Sequence, residues 1–150
     1  MDNSDNIKNN KNIFISRSMA DTEYLAGIVA GKLKGGDVIL LNGEMGAGKT
    51  AFTKCLAKRI GVRDIVTSPT FTFMKEYRGE RFALYHFDMF RAEDEEELYE
   101  LGLNDYLYMN GICVIEWNKF EDVKDSIAID IAVRDDGSRV FEISGMDIDI

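Results

Sequence analysis

The segment Gly43-Glu44-Met45-Gly46-Ala47-Gly48-Lys49-Thr50 fits the pattern G-x-x-x-x-G-K-[ST], and its neighbours restrict the folds that can carry it. Directly before it, Val38-Ile39-Leu40-Leu41 is an apolar, β-branched run that reads as a buried strand. Directly after it, Phe52, Leu56 and Ile60 recur at helical spacing. Strand, glycine loop and helix thus come in the order a triphosphate cradle needs. The glycines let successive backbone N–H groups point inward at phosphate, and the following helix adds the positive end of its dipole. Lys49 supplies a mobile positive charge and Thr50 a hydroxyl for Mg²⁺. A nucleoside triphosphate is the expected ligand, with Glu44, Met45, Gly46, Ala47, Gly48, Lys49, Thr50 and Ala51 as its phosphate-side contacts.

With 150 residues, 45% of them hydrophobic, the chain is long enough for one compact α/β domain with its own core, and leaves little room for a separate substrate domain or a large lid. A net charge of −9 argues against this chain being the main holder of nucleic acid, since phosphate neutralisation needs clustered Lys and Arg. Any RNA is expected to reach it through a protein partner. Cys55 and Cys113 lack metal-ligand spacing and are expected as buried, reduced thiols. No signal peptide, membrane-spanning run or lipidation motif is visible, so a cytoplasmic protein is expected.

Residues 1–12 are mostly Asn, Asp, Lys and Ser and read as a flexible tail, leaving 13–150 as the folded domain. Ile13-Phe14-Ile15 reads as an edge strand. A helix is expected to start near Ser18 or Asp21, to bury Leu25, Ile28, Val29 and Leu33, and to stop at Gly35-Gly36. The helix of the phosphate loop ends at Gly61. Past Thr67-Ser68-Pro69-Thr70, the runs Phe71–Tyr77 and Arg81–Phe87 suggest an antiparallel hairpin joined by Arg78-Gly79-Glu80. An acidic helix over Glu93–Leu101, a buried strand over Ile112–Glu116, and a hairpin pairing Ile127–Arg134 with Arg139–Ser144 complete the reading.

A triphosphate site also needs a carboxylate to hold magnesium, directly or through water, and a group to orient the attacking atom. Asp88 and Glu116 each close an apolar run, which puts both at carboxyl ends of strands, the edge where open α/β sheets bind ligands. The blander alternatives are a turn or cap residue for Asp88 and a solvated edge charge for Glu116. A carboxylate that follows four apolar residues is costly to leave unpaired, which favours a functional role.

Together, Gly43–Thr50, Ser68-Pro69-Thr70-Phe71, His86-Phe87-Asp88-Met89-Phe90-Arg91, Leu98-x-x-Leu101-Gly102 and Glu116-Trp117 closely resemble the TsaE (YjeE) family of ATPases in bacterial tRNA threonylcarbamoyladenosine biosynthesis. The resemblance runs from about Ile13 to Ser144. It implies a three-layer P-loop NTPase fold with a mixed sheet, ATP and Mg²⁺ as ligands, and assembly with TsaD-like and TsaB-like partners, with tRNA met only through the complex. It also implies that Lys49 and Thr50 serve phosphate and metal, that Asp88 serves the metal, and that Glu116 is needed for activity and is a further candidate at the metal. The Ser-Pro-Thr segment resembles a switch beside the γ-phosphate, which points to Thr70.

Three positions depart from the family: Phe90 replaces the usual Tyr, Met89 a common Leu, and Asn118-Lys119 a frequent Pro and acidic residue. The first two keep the shape; the third bears on the loop beside Glu116. Trp117 either stacks on the nucleotide or packs under that loop. His86 is either a switch-loop contact or a satisfied structural histidine. Asn118-Lys119 lies near the guanine-reading pattern, but no Asp-x-x-Gly follows a strand, so the match is read as coincidence. The run Glu93–Glu97 is read chiefly as a helix start favoured by the macrodipole. Two other functions fit the loop: a small-molecule kinase, for which no arginine-bearing lid is visible after Asn118, and a nucleotide-gated binding module with little turnover.

Overall fold

The computed structural model describes residues 12–69 and 72–148. The expected flexible tail, all but Asn12, lies outside these residues, and so does Thr70. Seven strands form one sheet in the order β1-β7-β6-β2-β5-β4-β3. They are β1 Asn12–Ser16, β2 Val38–Asn42, β3 Met74–Tyr77, β4 Leu84–Asp88, β5 Ile112–Glu116, β6 Ile127–Val133 and β7 Arg139–Ser144. The central strands β4, β5, β2 and β6 run parallel, while β3, β7 and β1 add antiparallel edges. A parallel core must be covered on both faces, which is why β2 and β5 are almost continuously apolar.

Two faces are separated by strand alternation. Ile39 and Leu41 of β2, Ile112 and Val114 of β5, and Leu84 of β4 pack with helix α1, Met19–Lys32, and helix α2, Lys49–Arg59. Val38, Tyr85, Phe87, Cys113 and Ile115 pack on the other face with Leu98 of the short helix α3, Glu95–Glu100. The period of two then dictates that His86, Asp88 and Glu116 lie on the α2 face. Ser18 caps α1 through the Asp21 N–H at 3.1 Å, a contact worth about 1 kcal/mol. Asp94 caps α3 in the same way through Glu97.

Several boundaries differ from the sequence reading. Asn12, assigned to the tail, begins β1 by pairing with β7. Helix α1 ends at Lys32, before the two glycines, and Ile28 is only half-buried because it sits at the margin of the packed face. The β3–β4 hairpin is shorter than expected: β3 begins at Met74 and β4 at Leu84. Gly79 forms an isolated bridge with Val62 and does not extend the hairpin, so the connection is pinned to the end of α2. Helix α3 starts two residues late because Asp94 serves as its cap. No helix among the described residues is long and apolar enough to cross a membrane.

Both cysteines are buried and free. Burial pushes the Cys113 thiol up to about 12, whereas Cys55, at 9% exposure, is raised by burial and by Glu23. Because the thiolate is the reacting form, a thiol reagent applied to the folded protein is expected to modify Cys55 first and Cys113 only on unfolding. Mass spectrometry of the time course checks this; labelling of native Cys113 at the Cys55 rate would contradict the packing.

Candidate nucleotide site

At the carboxyl end of β2 the chain turns through the glycine loop and enters α2 at Lys49, with Gly48 as its cap. Gly48 has φ 108°, and a Cβ there would stand 2.9 Å from Arg139 Nε, so both backbone and space demand glycine. Lys49 is 6% exposed; its Nζ donates to the Gly43 carbonyl at 2.5 Å and lies 3.7 Å from the centre of the Trp117 ring. Burial holds this ammonium below the ordinary lysine value, opposed by the negative charges of Glu116 and then Asp88. Lysine and carboxylates therefore share one electrostatic site.

The two carboxylates come from neighbouring strands in register, Asp88 opposite Glu116. One Asp88 oxygen accepts the Phe90 N–H at 3.0 Å, so the residue both shapes its turn and faces the loop's side of the sheet. Glu116 is 3% exposed, and its Oε2 lies 2.6 Å from His86 Nε2. Thr50 Oγ1 is 3.4 Å from Ser68 Oγ, and Thr67 is held in turn by Tyr77 OH and Lys75 Nζ of β3. A cleft of about 620 Å³ opens beside the loop, walled by Glu44, Met45, Lys49 and Trp117 and by Ile131, Ala132 and Val133 of β6. Its size and mixed lining are those of a small-molecule site.

A family profile described as "Threonylcarbamoyl adenosine biosynthesis protein TsaE" matches residues 16–141. The chain belongs to the TsaE family. The "tRNA threonylcarbamoyladenosine biosynthesis protein TsaE" of Bacillus subtilis (strain 168) is 47% identical over 97 residues, which span 65% of this chain and 60% of that relative. The protein of the same description from Treponema pallidum (strain Nichols) is 37% identical over 133 residues, 87% of this chain and 98% of the relative. The crystal structure of Bacillus subtilis YdiB superposes with a TM-score of 0.75 at 33% identity, covering 89% of this chain and 84% of that one.

In this TsaE-family chain, the fold gathers Lys49, Thr50, Asp88, Glu116 and Trp117 at one sheet edge, and Gly46, Ala47 and Ala51 frame the loop and the helix start. Thr70 lies outside the described residues. Glu116 is not a solvated edge charge, because His86 encloses it. Among the described residues, His86 makes its polar contact with Glu116. Trp117, at φ 55°, packs on Phe90 with ring centroids 5.1 Å apart and covers Lys49. In the loop that follows, Asn118 closes a turn with Phe120, and Lys119 Nζ donates to the Phe90 and Ala92 carbonyls. The pair that mimics a guanine reader is therefore structural here. Sequence reasoning missed Arg139, whose Nε donates to the Ala47 carbonyl at 2.8 Å. It lies 92 positions along the chain from that loop, and no local pattern marks it.

Among the described residues, no three His, Cys, Asp or Glu side chains gather as a ready-made metal site. The Thr50 hydroxyl and the Asp88 carboxylate are oxygen donors of the kind magnesium takes when phosphate and water complete its shell.

Proposed function

We propose that this chain is a Mg²⁺-dependent ATPase with a P-loop NTPase fold that serves tRNA N6-threonylcarbamoyladenosine formation at adenosine 37 in the cytoplasm, together with TsaD-like and TsaB-like proteins. The observation that carries the proposal is the convergence of Lys49 with Asp88 and Glu116 on one face and one edge of the sheet. Lys49 and the backbone of Glu44 to Ala51 hold the phosphates, and Trp117 walls the cleft that takes the nucleotide. Thr50 and Asp88 hold magnesium, with Glu116 near enough in charge to contribute. Magnesium bound there neutralises charge that builds on the phosphate oxygens. Glu116 orients or deprotonates the attacking water, and Thr70 continues the Ser68–Pro69 segment that Thr50 already touches.

A second reading, a nucleotide-gated binding module with little turnover, is favoured by the enclosure of Glu116 by His86. Phosphate release, measured with and without the TsaD-like and TsaB-like pair, separates the two. Partners are expected to raise turnover and, by linkage, to tighten ATP binding by the factor by which ATP tightens theirs. Equal ATP affinities in calorimetry, with partner-independent turnover, would overturn the coupled-ATPase reading. A phosphorylated small-molecule acceptor would establish the kinase instead.

A further inference from the structure

His86 is fully buried on β4, on the same sheet face as Glu116 and one step along the adjacent strand, because β4 and β5 pair with His86 opposite Val114 and Asp88 opposite Glu116. A carboxylate only accepts, so the 2.6 Å contact to Glu116 Oε2 puts a hydrogen on Nε2. The other ring nitrogen, Nδ1, is the one buried side-chain polar atom without a partner among the described residues. This arrangement is a poor device for stability: a buried polar pair rarely outperforms apolar packing, and an unsatisfied nitrogen adds a cost. Leucine in place of His86 would pack with neighbouring Leu84 and Val114 but would leave Glu116 unpaired and free to rotate.

We propose that His86 is a positioning residue that fixes the Glu116 carboxylate through Oε2, so that Oε1 is presented to the attacking water. This rests on the hydrolase reading above. Because the effect passes through Glu116, it should appear in kcat and leave ATP affinity alone.

The test uses polar replacements that differ in reach. In His86→Asn the amide stops short of Glu116, whereas in His86→Gln an amide N–H can take the place of Nε2–H. Partner-stimulated turnover is expected to fall roughly tenfold to a hundredfold in His86→Asn, the range seen when a supporting hydrogen bond is removed, and to recover most of the way in His86→Gln. ATP affinity by calorimetry should match wild type in both. In a Glu116→Gln background, His86→Asn should have no further effect on kcat, since the group it acts through is already disabled. Wild-type turnover in His86→Asn, equal losses in Asn and Gln, or a full additional loss in the Glu116→Gln background would each overturn the proposal. If Glu116→Gln alone leaves turnover unchanged, the hydrolytic role of Glu116 fails, and with it this inference. That outcome is distinct from a normal Glu116 defect with silent His86 variants.

Discussion

Replacing Lys49 with alanine is expected to cut ATP turnover by about a hundredfold to a thousandfold, the scale associated with removing one preorganised electrostatic group from an active site. Among the described residues, the ammonium is the one formal positive charge lining the cleft beside the loop, and burial disfavours its charged form. A phosphate bound there would recover that desolvation, because the charge would then meet a strong partner in a low-dielectric site. Loss of the contact with the Trp117 ring, worth about 2 kcal/mol when desolvated, acts on the packing of the side chain and not on charge that develops at phosphate. The folded protein should survive, since an alanine at the first position of α2 suits a helix. The check is phosphate release together with the thermal shift induced by Mg-ATP. Wild-type values of both in Lys49→Ala would remove Lys49 from the phosphate site.

Changing Glu116 to glutamine should retain nucleotide affinity while turnover falls by about a hundredfold or more, as expected for a group acting mainly in the transition state. The substitution suits the site because it keeps shape and leaves an amide oxygen that accepts from His86 Nε2, so the buried contact at the end of β5 persists. It removes the negative charge and the basicity. It also removes the largest influence raising the Lys49 value, so the Lys49 ammonium should become easier to deprotonate. Single-turnover kinetics and ATP calorimetry on the same preparation separate the chemical step from binding. Unchanged turnover would make Glu116 a structural residue that pairs with His86 and nothing more.

The amino-acid order alone determined the parts of this protein whose cause is local. The strand–loop–helix unit from Val38 to Ile60 is written in a run of β-branched residues, glycines that accept unusual backbone angles, and apolar side chains at helical spacing. Asp88 and Glu116 were legible as strand-end carboxylates because an apolar run ending in a charge marks the point where a buried strand meets a ligand edge. Short-range rules were weaker where competing contacts come from far away. The β3–β4 connection was misjudged because Gly79 bridges to Val62, and α3 began late because Asp94 is used as a cap.

Tertiary structure alone decided which side chains meet. Nothing near His86 in the sequence names Glu116, 30 positions on, as its partner; the parallel register of β4 and β5 does. Arg139 reaches the Ala47 carbonyl only because the β6–β7 hairpin folds back beside β2. The seating of Trp117 over Lys49 likewise needs the turn after β5 to take a left-handed angle, and the bonds of Asn118 and Lys119 hold the chain just beyond it. Periodicity and turn chemistry act over a few residues, which is why the elements could be read from the chain. Pairing between strands is set by how the whole sheet buries its two faces, so the partner of a strand-end carboxylate such as Glu116 is fixed only when the fold closes.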